Sequence, residues 1–555
     1  MALRSGKVKR KRRKLQMELR KHWPPPRWRG RFRRVRLFIV HSHFRPGGVR
    51  RVIELGVSHL VALREGDVAE VTLVGGERPD ANWWNGFRQI SAPASARCRI
   101  EPALGYLSEQ RAKPSAIRSR VRRYLRRVLG QTPVRETAVW AHNLGLGRHP
   151  ILAEELVGLC TDRGLRLVLH HHDWWFDNRW ARWPEMRRAG LRSLRRVAQA
   201  LIPVGGQVHH VAINRADAAV LRKHLGAHAR WIPNPAETGG PPRLRPGRSA
   251  RRWLRSHLGV EGPVWLMPCR LLRRKNVAEA LLLMRWLRPE AWLVTTGGPS
   301  SAEETSYARQ LAAAARRYAW PLRLSVLQRG GPDQPTVAAL MQSSEVVLLT
   351  SLQEGFGLPY LEATTAQRPL IARRLPNVAP DLARLGFRFP QVYDEIWIDP
   401  QLFDWEAERS RRRAAYAAWR KTLPAFVRAQ VGAARGHGED IRPCPLAFSR
   451  LSLAAQIEVL RHPVAWSWQL CAPLNPFLRT WRRLAAARRL QPAGWPARAE
   501  ARLGATAYAR HLSQVLRTRE RPAPDRRAAV RCLEDFLRLK LSAENLYPML
   551  WNPRG

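Results

Sequence analysis

The sequence predicts an α/β molecule: two Rossmann-like doubly wound domains facing a cleft, followed by a helical C-terminal extension. Three observations carry this. Short apolar runs alternate with amphipathic stretches from residue 35 to about 235, the pattern of a parallel sheet covered by helices on both sides. A stretch rich in Gly, Pro and Arg, Glu237 to Ser249, interrupts the alternation, which then resumes as far as about residue 400. At 555 residues the chain is too long for one ordinary core, and its 45% hydrophobic content suffices for globular packing.

In chain order, residues 1–34 read as a basic disordered tail, with Trp23, Trp28 and Phe32 around Pro24, Pro25 and Pro26. The first domain spans 35–236, with strands expected at 35–41, 68–74, 138–142, 166–171 and 210–214. Its helices are expected at 49–63, 117–129, 150–163 and 185–200. A linker covers 237–250. The second domain, 251–400, has strands expected near 264–268, 291–296, 322–327, 345–349 and 369–372, with helices such as 276–286 and 303–317. Residues 401–555 read as helical and arginine-rich, without a chemical motif; part of them is expected to return over the first domain.

The most informative segment runs from Glu354 to Glu362. Ser343 to Thr350 before it reads as a buried strand ending in a polar loop. Gly355 and Gly357 let the backbone turn, and Pro359 suits the first position of a helix. Glu362 is then expected in the first turn of that helix, near amide donors that favour anions. Earlier, Val35 to His41 is a strand followed by Pro46, Gly47, Gly48 and Val49 and a helical run. Arg270 and Lys275 follow another strand. Lysine is scarce in a chain with 97 Lys plus Arg, so Lys275 stands out, although a solvated basic turn with Arg273 and Arg274 is the plainer reading. A compact ammonium and a forked guanidinium suit different oxygens of a phosphate group.

These pieces together, over about residues 35–400, resemble the retaining glycosyltransferases of family 4, which have the GT-B fold; Glu354 and Glu362 match the E-x7-E signature. The resemblance implies a retaining, metal-independent glycosyltransferase using a UDP- or GDP-sugar as co-substrate, with no cofactor. Arg270 and Lys275 would grip the donor diphosphate, with Glu354 on the donor sugar and Glu362 on the ribose. Gly47, Gly48, Gly355, Phe356, Gly357 and Leu358 would line the donor site. Trp231 to Pro235 matches the segment before the crossing between domains. Of His170, His171 and His172, the last aligns best with a histidine near the donor sugar because Asp173 follows, with His171 the alternative. His142, Asn143 and Asp173 fall at acceptor-side positions, and a capping or core role is the alternative for either histidine. Trp174, Trp175 and Phe176 would form a sugar-stacking wall or fill the cleft. The acceptor, a sugar, lipid or small molecule, is not specified.

Consecutive histidines point in divergent directions and rarely share an ion, so no metal site is expected. Six scattered cysteines without C-x-x-C spacing support neither zinc nor a disulfide framework, and fit a reduced, cytoplasmic setting. No run is long enough to span a bilayer, and the first thirty residues lack a signal-peptide pattern. The net charge of +54 would attract nucleic acid, anionic lipid or phosphorylated substrates. No nucleic-acid-binding module accompanies it, so a nucleic-acid partner is not expected; the alternative function is a basic nucleic-acid- or membrane-binding protein on an inactive GT-B scaffold. The helix at 117–129 sets Ile117, Val121, Tyr124, Leu125 and Val128 on one face and arginines elsewhere. It either docks peripherally on the anionic inner membrane surface or packs on its own domain.

Overall fold

Runs such as Val35–Val40 and Thr137–His142 are buried along nearly their whole length, as strands between two helical layers must be. The structure, a computed structural model, describes residues 35–63, 68–236, 248–299, 301–328, 331, 333–431, 442–518 and 520–551. The expected tail at 1–34 and most of the linker lie outside these residues. A helix, Arg248–Leu258, begins inside the segment expected to be linker.

The first sheet contains β1 (Val35–Val40), β2 (Val68–Gly75), β3 (Ser95–Ile100), β4 (Thr137–His142), β5 (Arg166–His171), β6 (Val208–Ala212) and β7 (Ala229–Trp231). Its order is β3-β2-β1-β4-β5-β6-β7, and all pairs are parallel. The second contains β8 (Val264–Arg270), β9 (Trp292–Gly297), β10 (Leu322–Arg323), β11 (Val346–Leu349), β12 (Leu370–Arg373) and β13 (Gln391–Tyr393). Its order is β10-β9-β8-β11-β12-β13, again parallel. Two parallel, helix-covered sheets of this kind, with their strand ends at a shared cleft, make the GT-B architecture.

Helices flank both sheets. In the first lobe these include α1 (Gly48–Ala62), α2 (Ala81–Ser91), α3 (Pro114–Leu129), α4 (Pro150–Arg163), α5 (Leu194–Leu201) and α6 (Arg215–Leu225). In the second, α7 (Val277–Leu287) and α8 (Leu358–Thr365) carry or follow the site loops. The expected helix at 185–200 is two: Trp183–Arg188, then α5. Gly190, with φ 99°, turns the chain between them. β3, β7, β13 and α2 were not anticipated. β3 reads Ser-Ala-Arg-Cys-Arg-Ile and alternates exposed with half-buried positions, so it has no apolar run.

α3 settles the amphipathic helix. Ile117, Val121, Tyr124, Leu125 and Leu129 are buried in the core of their own lobe with Leu152 and Leu156 of α4. Arg118 pairs with Glu154 and Glu155, and Arg122 with Glu155. The stripe therefore offers no apolar face to a membrane. Among the described residues no helix is long and apolar enough to cross one. Cys98, Cys160, Cys269, Cys471 and Cys532 are free thiols.

The C-terminal third is not a separate appendage. α9 (Leu453–Arg461) and α10 (Phe477–Ala486) pack on the second lobe against α7. α11 (Ala505–Leu516) then returns to the first lobe, where Tyr508 and Leu512 join Ile53, Val57 and Trp140. α12 (Arg526–Lys540) packs on α5 and α6 through Ala529, Leu533 and Phe536.

Candidate active site in the cleft

Glu354 is held from several sides. Lys275 Nζ makes a very short contact with Oε1, and Ser351 Oγ donates to the same oxygen at 2.6 Å. Arg274 Nη1 donates to Oε2 at 3.1 Å and to the Gln353 carbonyl at 2.7 Å. Burial alone would raise the carboxyl's pKa, but the Lys275 and Arg274 charges outweigh it and hold Glu354 at about 2. The basic turn is therefore not solvated. Lys275 is buried at 8% exposure, and the Arg274 side chain keeps 14% of its surface. Arg274, rather than Arg270, is the arginine bound to Glu354, a role the sequence reading did not assign.

Local structure explains why the turn presents these groups. Asn276 sits in the left-handed region at φ 51° and closes the turn ahead of α7. Thr350 Oγ1 donates to the carbonyls of Lys275 and Asn276 at 3.1 and 2.9 Å, tying the turn to the end of β11. Beneath, Asn276 donates to Glu279 at 2.7 Å, and Glu279 is paired with fully buried Arg373.

Gly357, at φ 74°, is the N-cap of α8, and Pro359 occupies its second position. The expectation for Glu362 needs correction. It is the fifth residue of α8, no acidic residue lies in that helix's first turn, and its side chain is exposed. It does not line the cavity that Glu354 lines. Phe356 is buried in an apolar cluster with Ile213 of the first lobe, so its side chain joins the lobes. Leu358 faces the glycine loop: its Cδ1 is 4.0 Å from where a Cβ on Gly48 would stand, while nothing lies within 4 Å of one on Gly47.

Across the cleft, β5 ends at His171 and delivers His172 and Asp173. Asn143, at φ 58°, accepts from the amides of His172 and Asp173 through Oδ1 at 2.8 and 3.2 Å. It shapes this corner from below. His142 is 1% exposed, with Nδ1 3.0 Å from His172 Nε2; it supports His172 and does not reach an acceptor pocket, so its acceptor-side assignment is corrected to a core position. Burial takes the His172 pKa down to about 3 and the His142 pKa well below its usual value, so both are neutral near pH 7. Asp173 is held below the usual carboxylate range: burial opposes this, but Arg179 and Arg274 outweigh it. His171 points to the other side, 3.0 Å from His210.

His142, His170 and His172 do gather, their nitrogens lying within 4.8 Å of one another. The divergence expected of consecutive histidines is avoided because 170 and 172 alternate onto one side. Their rings lie at 17–25° to one another, and His142 Nδ1 and His172 Nε2 are engaged with each other at 3.0 Å. Trp174, Trp175 and Phe176 form no wall. They are buried with Phe536 and Trp551 of the C-terminal region.

Three further groups complete the cleft. Arg270 is near enough to His43 and Tyr106 of the first lobe to act on their ionisation, and His43 Nε2 lies 2.8 Å from Tyr106 Oη. Asn377 donates to the Glu354 carbonyl at 2.6 Å, and Asn214 to that of Gly355 at 3.3 Å. From α12, Lys540 reaches Asp177 at 2.9 Å and Asp217 at 3.0 Å. A cavity of about 120 Å³ is lined by Asp173, Asn214, Arg274, Glu354, Asn377 and Lys540, among others. Lys540 had a signal: the scarcity that marks Lys275 marks it equally.

Residues 255–406 match the family model described as glycosyl transferases group 1. Two curated relatives from Petrotoga mobilis (strain DSM 10674 / SJ95) are similar. One is named mannosylglucosyl-3-phosphoglycerate synthase, 22% identical over 61% of this chain and 65% of its own. The other is named mannosylglucosylglycerate synthase, 21% identical over 44% of this chain and 60% of its own. The chain thus spans less than two thirds of either relative's length. Among solved structures, WaaG, a glycosyltransferase involved in lipopolysaccharide biosynthesis, is 15% identical with a TM-score of 0.47, covering 86% of this chain and 99% of that one. Anabaena HepE in complex with UDP-glucose is 14% identical with a TM-score of 0.43, covering 81% and 98%. The basic turn and the paired-glutamate loop both lie inside this matched segment, which is a glycosyl transferases group 1 domain.

Proposed function

We propose that this protein transfers a sugar, with retention and without a metal, from a UDP- or GDP-linked donor to an acceptor hydroxyl. In that reaction the bond from the anomeric carbon to the phosphate oxygen breaks and a bond to the acceptor oxygen forms. The acceptor proton passes to the departing diphosphate. Positive charge grows on the sugar and negative charge on the leaving group, so fixed cations beside the phosphates favour the transition state.

The observation that carries the reading is the buried Lys275–Glu354–Arg274 cluster, with Arg270 near it at the end of β8. The cleft is electrically polar. At one end Arg179, Arg270, Arg274 and Lys275 outnumber Asp173 and Glu354 by two, the complement of a doubly charged diphosphate. At the other, Asp177 and Asp217 outnumber Lys540 by one, which suits hydroxyl donors of a sugar. Each cation at about 4 Å from a phosphate charge contributes about 4 kcal/mol at an effective dielectric near 20, before desolvation. Neutral His172, anchored through one ring nitrogen, keeps the other for a sugar hydroxyl. Glu362, exposed on α8, would meet the ribose at the rim.

The names of the curated relatives make GDP-mannose and UDP-glucose the first donors to try. Lys275→Ala is expected to lower sugar transfer about a hundredfold or more, and the donor should raise the melting temperature of the unsubstituted protein. An unchanged rate in that variant would remove Lys275 from the reaction.

A further inference from the structure

The flank of the first lobe carries a second charged feature, apart from the cleft. β3 is the edge of its sheet and pairs only with β2, so one side of its backbone has no strand partner. A groove of about 1190 Å³ runs along this edge between α2 and α3 and shares no residue with the cavity around Glu354. Its lining includes Arg36, Arg78, Arg88, Arg97, Arg99 and Arg127.

The balance of charge there is unusual for this lobe. Arg97 has Glu70 at 3.4 Å. Among the described residues the other five arginines form no ion pair. Carboxylates nearby are engaged elsewhere: Asp80 with Arg50, Glu101 with Arg120, Glu154 and Glu155 with Arg118. Like charges gathered in a recess repel one another and raise the local potential, which an anion relieves.

We propose that this groove binds a linear chain bearing phosphate oxyanions, held by arginine forks along β3. Arg97 and Arg99 lie two residues apart on one strand, hence on one face and about 7 Å apart. Guanidinium forks engage phosphate oxygens in pairs, and the unpaired amides of an edge strand add neutral donors. A bilayer is flat and would meet the rim of the recess, leaving β3 untouched. Single-stranded nucleic acid needs a run of open aromatic faces. The three rings here are otherwise engaged: Phe38 is buried, Tyr124 is 4% exposed beneath Arg127, and Trp84 stacks on Phe87 at 5.9 Å. The binding stands whether or not sugar transfer is the activity in the cleft.

The test measures equilibrium binding of the full chain to phosphomannan and to inorganic polyphosphate at about 50 and about 200 mM salt. Two variants remove equal charge: Arg88→Glu/Arg97→Glu/Arg99→Glu in the groove, and Arg526→Glu/Arg527→Glu/Arg531→Glu on exposed positions of α12. The groove variant is expected to bind about tenfold or more weakly, and the control to stay within about threefold. A glutamine version of the groove variant, with an unchanged melting temperature, separates lost binding from lost folding. Equal binding of both chains, or a preference for phosphomannan, upholds the proposal, the second adding the saccharide carrier. Equal weakening by the two charge sets, or no binding of either chain, overturns it. So does tighter binding, through these arginines, of a single-stranded oligonucleotide or of phosphatidylglycerol vesicles.

Discussion

At Gly355 one hydrogen in place of a methyl group sets how closely the lobes approach. A Cβ there would stand 2.4 Å from the His172 carbonyl oxygen, a backbone atom that cannot swing aside. Gly355→Ala is therefore expected to cost about 1–3 kcal/mol of stability and to weaken donor binding by opening the cleft, read by melting temperature and donor titration. Retention of both would mean the lobes adjust freely. Glu354 and Lys275 were both singled out in the sequence, one by its place after a buried strand and the other by the scarcity of lysine, and the structure brings the two side chains together. Arg274 was not, since adjacent arginines look alike in one dimension and only the fold of the turn sends Arg274 to Glu354 and Arg273 to Glu304. Glu362 shows the converse: its spacing was legible, and its place one turn farther along α8 was set by where Gly357 begins the helix.

Among the elements, α12 has the clearest consequence. It carries Lys540 from the far end of the chain into the cleft wall, between Asp177 and Asp217. Burial disfavours the ammonium, yet the two carboxylates outweigh it and hold its pKa above the usual lysine value. Lys540→Ala would leave both carboxylates buried without their cation, an expected loss of about 3–5 kcal/mol. Adding Asp177→Asn should restore part of it; a melting temperature insensitive to either change would contradict the arrangement. The strands with continuous apolar runs were legible to within a residue or two, except the one expected at 322–327, which stops at Arg323 before Ser325 turns the chain at φ 57°. β3 and α2 were missed for one reason: on the flank of the lobe they bury only one side, so arginine and asparagine interrupt the periodicity.

For the whole molecule the histidines set the response to acid. His41, His172 and His209 are held at about 3, and His43, His149 and His210 at about 4, each chiefly by burial and against an ordinary 6.5. Lowered folded values mean that the unfolded chain binds more protons between those limits. Stability is then fully present above pH 6.5 and falls as the pH drops toward 3. Glu354 adds its loss only between 4.5 and about 2. Melting temperatures should thus decline from about pH 6.5 downward; a plateau persisting to pH 4.5 would mean that these rings are solvated or already charged.

What the sequence by itself determined was the pair of parallel sheets and the loops that carry Glu354 and Lys275, because strand periodicity and turn-forming residues are local properties. Only the tertiary structure decided that α3 turns its apolar stripe inward, that His142 lies beneath His172, and that Lys540 lines one cavity with Glu354 of the second lobe. Those outcomes depend on which surfaces meet, and burial is a property of the pair of surfaces, not of either segment.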